Sequence, residues 1–533
     1  MKKIAICLLG LSGSLVTLNA QQSYTYELEK YATKETSYDD CRTDSRLDIE
    51  NSMAYQVRHH AALFDWLVND NLSAFSHLKR DQRGVVSLSM DLHNNQGENL
   101  FYEGKDRITG EVLAGSHFSL KNKGTLFGMA SYKQRKIEDM KFNYATHPED
   151  YVPYLVGDSL TEGDTHQEIY TIKGGYSRQL GDFHFGVDAM YEGIAEHRST
   201  NPKYSNYSYW LRLGLNTAWT KGKHIFSVRV YPELNSQSVS ANTYLNSTKF
   251  FQFYGFGQWN RRETVGGLSY GRVQRIWGGG GDFLYMYSGD WKCSAQLVYN
   301  YRRLTTEERN FKNLFSGNKH YLREQLAASK SLGSHTLYLQ LSALQQFMSG
   351  KENVYENQIQ DEDQKLFDYV LVGNNQFYHR KFMNVDMKGK MVFQAAGENF
   401  FHLLGGVAYT HQNETYDLPY CNIQASNILP VVCLGYQKHH DNYAFECNVS
   451  GTLQLNLDKT FNYATYTENI FTRAQAYVPF ILQSEDNQQL KADVLFSHVI
   501  GKKYELGVRS TFAYVNSDYR KDCYFTTGVN FLF

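Results

Sequence analysis

Over most of the chain, apolar and polar residues alternate with a period of two. From Tyr207 to Trp219 the odd positions carry Tyr207, Tyr209, Leu211, Leu213, Leu215, Thr217 and Trp219, while the even ones include Ser208, Arg212, Gly214 and Asn216. Phe183, Phe185, Val187, Ala189 and Tyr191 alternate with His184, Gly186, Asp188, Met190 and Glu192, and Tyr443, Phe445, Cys447 and Val449 with Glu446, Asn448 and Ser450. Successive side chains of a strand point to opposite faces, so each run predicts a strand with one apolar and one polar side. Aromatics bracket an aliphatic centre on the apolar side. A strand crossing hydrocarbon between two aromatic girdles has this pattern.

A soluble β-sandwich also alternates, so the connections have to decide between the two. Every second one is very short: Lys121–Gly124, Leu180–Asp182, Thr220–Lys223, Ser331–Ser334, Ala395–Asn399, His439–Asn442 and Gly501–Lys503. The others are long and polar, over 142–166, 233–262, 307–320, 351–376 and 457–486. Short turns at one end and long loops at the other imply a membrane barrel. The expected fold is all-β, a transmembrane antiparallel up-and-down β-barrel of about 16–18 strands over residues 85–533, with residues 236–288 the hardest to parse.

The first residues read differently. Met1, Lys2 and Lys3 precede an apolar run from Ile4 to Leu18, which reads as a signal peptide over residues 1–20. Between 21 and 84, Ile49, Met53, Val57, His60, Phe64, Leu67 and Val68 recur at helical spacing, which predicts an amphipathic helix over Asp48–Asn71, periplasmic or lumenal.

The last strand carries the family resemblance. Phe525, Thr527, Val529, Phe531 and Phe533 share one face, and the chain ends on Phe533. This resembles the C-terminal assembly signal of bacterial outer-membrane β-barrels, in which the terminal Phe is read by the assembly machinery; Phe531 and Phe533 are the matching residues. The Tyr-rich style of the barrel portion resembles outer-membrane barrels of Bacteroidota. Residues 21–84 are far shorter than the plug domain of TonB-dependent transporters, and no energy-coupling box is evident near Gln21.

Composition agrees with this reading. Aromatics make up 15% of residues against 7 Pro, which favours strands over disorder. A mean hydropathy of −0.51 is too polar for a helical membrane protein but suits a barrel, where only alternate residues meet lipid. The net charge of −1 gives no reason to expect nucleic acid. Among the cysteines, only Cys421 with Cys433 is a pair worth testing for a disulfide.

Candidate chemistry is sparse. Gly267–Gly271 matches G-x-S-x-G, but strand and glycine-rich loop flank it where a nucleophile elbow needs a helix. Gly278–Gly281 lacks the Lys and Ser/Thr of a phosphate loop and is read as a loop folding into the pore or as a close backbone contact. His147, Glu149, Asp150, Asp158, Glu162, Asp164 and His166 show no fixed metal-ligand spacing and are read as a solvated acidic loop. No metal, cofactor or catalytic group is expected. The residues expected to line the lumen are Asp188, Glu192, Arg212, Lys292, Arg302, Lys491, Asp493, Glu505 and Arg509. Their mixed signs suit a porin-like or gated channel for small polar solutes, or a filled interaction barrel. A barrel enzyme is the least favoured reading, because His184 and His402 point inward. Expected partners are outer-membrane lipid, the assembly machinery, and a surface lipoprotein or a TonB-dependent uptake complex.

Overall fold

Alternating strands that face lipid on one side must have every backbone group paired, and a sheet achieves this only by closing on itself. The computed structural model describes residues 83–532 except 121–123, 159–162, 244–249, 258, 263–268, 309–312, 362–365, 396–398, 441, 465 and 501–503. In chain order the strands are β1 (Arg83–Gly97), β2 (Asp106–Ser119), β3 (Gly124–Ile137), β4 (Val156–Asp158), β5 (Thr165–Leu180), β6 (Phe183–Arg198) and β7 (Lys203–Lys221). β8 (His224–Asn242), β9 (Phe250–Tyr254), β10 (Trp259–Arg262), β11 (Ser269–Ser288), β12 (Trp291–Glu308), β13 (Phe315–Leu332) and β14 (His335–Asp361) follow. β15 (Leu366–Gln394), β16 (Asn399–Asp417), β17 (Tyr420–His440), β18 (Tyr443–Tyr463), β19 (Asn487–Ile500), β20 (Tyr504–Ser517) and β21 (Arg520–Leu532) complete the set.

Eighteen of these form one antiparallel sheet, each paired with its neighbour in sequence, and β1 pairs with β21 from Val85↔Leu532 to Gly97↔Arg520. The barrel is closed. β4, β9 and β10 make a separate small sheet. The helices are α1 (Pro148–Tyr151), α2 (Ile470–Thr472) and α3 (Val478–Ser484), the last two joined by a π-helical turn over Arg473–Tyr477. These short helices lie late in the described chain, apart from α1; the helix expected over 48–71 and the leader over 1–20 fall outside the described residues. No described helix is long and apolar enough to cross a membrane.

The outward face is apolar. Val187, Leu215, Leu326, Leu403 and Leu434 are all exposed on it, and such residues recur around the whole circumference. A continuous apolar belt of this extent has no place in water and fits a lipid core. Tyr207 and Tyr209 mark one edge of the belt on β7 and Trp219 the other, stacked on Phe226, which packs on Tyr285. Ten residues separate Tyr209 from Trp219, about 25 Å along the membrane normal for strands tilted ~40°.

Two loop expectations change. Gly278–Gly281 lies inside β11, paired on both sides, so it is a strand segment and no pore loop. A Cβ on Gly280 would meet Tyr299 O at 2.5 Å and the Tyr231 hydroxyl at 2.6 Å, so the run exists to let its neighbours approach. The stretch 351–376 is mostly strand. β13 pairs with β14 only as far as Glu352 and β15 meets β16 from Tyr378, so the hairpin between stands clear of the wall. Cys421 and Cys433 sit on the same strand, β17, and both are free.

Leu215 lies near the middle of the belt and is 62% exposed. Leu215→Arg is expected to cost about 2–4 kcal/mol in urea unfolding from lipid vesicles. A soluble sheet would register almost nothing at such an exposed position.

Candidate functional site

A wall of 18 strands spaced ~4.8 Å and tilted ~40° encloses a bore about 35 Å across, too wide for wall side chains to fill. The chain fills one end with its own loops. Residues 138–164 carry α1 and β4, residues 243–268 carry β9 and β10, and residues 464–486 carry α2 and α3. They fold inward because they are apolar where they meet. Phe142, Tyr151, Leu155, Phe253, Val478, Ile481 and Leu482 pack with Met190, Trp210, Ile276 and Leu304 from the inner wall. Phe471 joins the three loops, with ring centroids 5.3 Å from both Phe142 and Phe253. Each buried ring contributes about 1.5–3 kcal/mol. Gly257, at φ +82, makes the turn that brings Phe256 onto Tyr378 and Tyr416. A Cβ there would come within 2.5 Å of Phe471 O.

Ion pairs tie this plug to the wall. Asp158 is paired with Arg198 and accepts a hydrogen bond from the Tyr144 hydroxyl at 2.6 Å. Asp150 is paired with Lys319 and lies 3.4 Å from Arg302. Burial alone would raise the Asp150 carboxyl, but Lys319 and Arg302 outweigh it and hold the group below its ordinary value. Arg302 also pairs with Glu233 at 2.8 Å, and Glu233 with Arg212 at 3.0 Å. Arg302 stacks over Trp210 at 4.5 Å, and Tyr231 lies between Arg212 and Arg229, 4.8 Å from each. Deeper in the bore, Arg229 holds Asp188, with Asn216 donating to the same carboxylate at 2.8 Å. On the opposite wall Asn427 donates to Gln483 O at 2.8 Å, Gln454 to Glu485 O at 2.9 Å, and Arg520 pairs with Glu485 at 3.1 Å. The plug thus reaches β6–β8, β12–β13 and β17–β18, which stand on opposite sides of the bore.

A cavity of about 120 Å³ with several charged groups in its lining remains between the plug and the wall of β1–β3, β5, β6 and β21. His93, Glu103, Arg107, Arg135, His147 and Glu149 line it. Burial pushes the Glu103 carboxyl up to about 7, against the opposing pull of Arg520 and Arg107.

The residues expected in the lumen fall into separate groups on the inner face. Asp188, Glu192, Arg212 and Arg302 surround the plug; Glu192 lies 3.7 Å from His147 of the folded-in loop. Asp493 binds Arg509 at 3.0 Å on the far wall, where Lys491 and the buried Glu505 also face in. Lys292 stands apart, near the short-turn end of β12. Phe531 faces outward and stacks on Tyr504 at 5.8 Å, whereas Phe533 falls outside the described residues. Ser269 of the G-x-S-x-G match opens β11, and its first residues are outside the described set.

The loop over 142–166 needs correction. It is not a solvated acidic surface: Asp150 and Asp158 are 3% and 2% exposed and serve as anchors. Among the described residues no group of three or more His, Cys, Asp or Glu is placed to hold a metal. Sequence reasoning missed Arg198 and Lys319, the wall partners of these acids, and Arg229 and Glu233, which pair with the expected lumen residues Asp188, Arg212 and Arg302. The available signal was apolar content in supposedly polar loops, Phe142, Tyr144, Leu155 and Val156 in one and the run Phe250–Gly257 in another.

Residues 72–533 match a family model described as "Family of unknown function (DUF6850)". The chain belongs to this family. No curated protein matches it. Among solved structures, this DUF6850 chain is similar to CdiB from Acinetobacter baumannii, at 10% identity and a TM-score of 0.35, covering 86% of this chain and 61% of that one. It therefore spans about three fifths of that protein's length. It is similar to the outer membrane transporter YddB from Escherichia coli, at 9% identity and a TM-score of 0.39, covering 86% and 81%. The TodX deltaS2S3 mutant monoaromatic hydrocarbon channel matches at 10% identity and a TM-score of 0.31, covering 87% and 92%.

Two outcomes are expected for the DUF6850 plug. Asp150→Asn leaves Lys319 without its carboxylate, a loss of about 3–5 kcal/mol in docking for a broken buried pair, so trypsin should cut faster after Lys141 while the barrel stays folded. Glu103 lies in the β1–β2 loop, whose Leu100, Phe101 and Tyr102 pack on the plug, and burial pushes its carboxyl up to about 7 from an ordinary value of 4.5. Its contribution to docking is fully present below pH 4.5 and is lost as the pH rises through about 7. Amide exchange over residues 98–105 should accelerate across that window, and Glu103→Gln should flatten the response.

Proposed function

We propose that this chain is an outer-membrane barrel of a diderm bacterium, in the style of Bacteroidota barrels, that is exported by a signal peptide and acts as a gated, porin-like channel or accessory transport protein for small polar solutes. The observation that carries this reading is the plug. It is built from the barrel's own loops, packed on an apolar cluster, and tied to the wall across the bore by a small set of ion pairs and hydrogen bonds to carbonyls. Such a closure separates by exchanging those partners for water, without unfolding the wall. The role assigned is transport, with no catalytic step.

Single-channel conductance in a planar bilayer tests it. The full chain is expected to be mostly closed, with Asp150→Asn and Glu485→Gln each raising the open fraction by roughly tenfold or more, since every 1.4 kcal/mol of docking lost is a factor of ten. Silence in all three, with the barrel shown to be folded, would sink the channel reading.

A second reading has its own observation. The β14–β15 hairpin stands beyond the wall with Val354, Leu371 and Val372 exposed, a surface suited to a surface lipoprotein or an uptake complex. In that case the barrel does not conduct, and a partner co-purifies with the native chain but not with Leu371→Asp.

A further inference from the structure

The lipid side of the wall is not uniform. Where β7, β8, β11 and β12 meet, an open groove of about 830 Å³ is cut into the outer surface, lined by Leu211, Leu213, Pro232, Leu234, Trp277 and Arg303 among others. Its cause lies in the sequence. Pro232 has no N–H, and the β7–β8 ladder, intact up to Arg212↔Glu233, resumes only at Leu215↔Val230. Across the other edge of β8, Pro232 faces Gly279, and Gly281 follows on the same outward face. The outside of β11 therefore carries no side chain between Trp277 and Phe283. A Cβ on Gly279 would lie 2.6 Å from Tyr231 O, so the gap cannot be filled at that position. The floor is backbone, and the sides are leucines and one indole.

Charge adds a second feature. Arg275 and Glu307 at the loop-end rim pair with each other at 2.6 Å and cancel. Arg303, exposed and in register with Trp277, makes no ion pair or hydrogen bond among the described residues. It stands next to Tyr301 and close to the Tyr209 edge of the apolar belt, at the depth of lipid head groups. A guanidinium without a counter-charge, beside an apolar slot open to the bilayer, matches phosphate oxygens on the head of an acyl lipid.

We infer that this groove binds one lipid of the surrounding leaflet that carries an anionic phosphate head group, with its acyl chain along Leu211, Leu213 and Leu234 and its phosphate on Arg303. The inference rests on the wall being membrane-embedded and is independent of any transport role.

The test uses the full chain inserted in nanodiscs of equal phosphatidylglycerol and phosphatidylcholine, then released into native mass spectrometry. One retained phosphatidylglycerol is expected, favoured over phosphatidylcholine about fivefold, as a single basic residue at an anionic surface supplies. Arg303→Gln should bring the ratio to about one. Leu213→Trp, which fills the groove from the lipid side, should lower retention of both lipids. Heat-dependent gel mobility confirms that each variant is a folded barrel. Equal retention of the two lipids by the native chain, or an undiminished preference in Arg303→Gln, overturns the assignment. So does a lipid-free dimer, which would give the groove to a second copy of the chain. Failure to insert at all would instead overturn the membrane-embedded wall.

Discussion

A lipid-facing backbone has no water to fall back on, so each peptide group of the wall must find its partner in a neighbouring strand. The pairing of β1 with β21 meets that requirement for the last open edge, and much else follows from it. Closure at 18 strands fixes alternate side chains as outward or inward, which explains why Leu215 and Asn216, adjacent in sequence, meet hydrocarbon and a buried carboxylate respectively. It also fixes a bore that side chains cannot fill. Either water or more chain must occupy it, and the long loops all leave the wall at the same end, so that end is where chain is available.

The means of attachment matters as much as the filling. Burying charges costs several kcal/mol per ion, and their attraction restores this only with good geometry and further hydrogen bonds. The plug meets those terms through shared partners: Arg302 serves both Asp150 of the loop and Glu233 of the wall, while Glu233 is also held by Arg212 and Asn300. If the loop left, Arg302 would keep Glu233, and Lys319 would face a hydrated bore. The polar part of the penalty for undocking is thus limited to groups that water can solvate. Beside these polar ties the Phe142, Phe253 and Phe471 cluster gives the plug an apolar heart.

Much of the fold was legible in the sequence because strand alternation is a local signal, and the short turns at Gly181, Gly222 and Gly333, all with φ near +60, mark the hairpins locally too. The tetraglycine run was legible only as two alternatives, of which the close backbone contact is the one the register bears out. A glycine run in isolation suggests a loop, and only the register against Tyr231, Tyr299 and Tyr301 shows that its neighbours require the missing side chains. The plug was hidden for a related reason. Asp150 and Asp158 are indistinguishable in sequence from solvated surface acids until Lys319 and Arg198, many residues away, are brought opposite them. What the sequence did contain was an excess of Phe and Tyr in segments otherwise read as polar.

The filling is lopsided, and that bears on where a passage would run. Along β6–β8 and β11–β13 the inner face is packed, with Ala218, Ile225, Leu284, Met286 and Ala327 clustered near the short turns and the ion pairs above them. The cavity lies on the other flank, against β1–β3, β5, β21 and the edge of β6. Two arginines, Arg107 and Arg135, line that space together with Glu103 and Glu149. With Glu103 protonated, one of these two positive charges is left unbalanced; with it ionised, the two acids match the two arginines. The group best placed to loosen the loop over 98–105 is therefore also one that changes the charge of the space beside it, so both respond to the same proton.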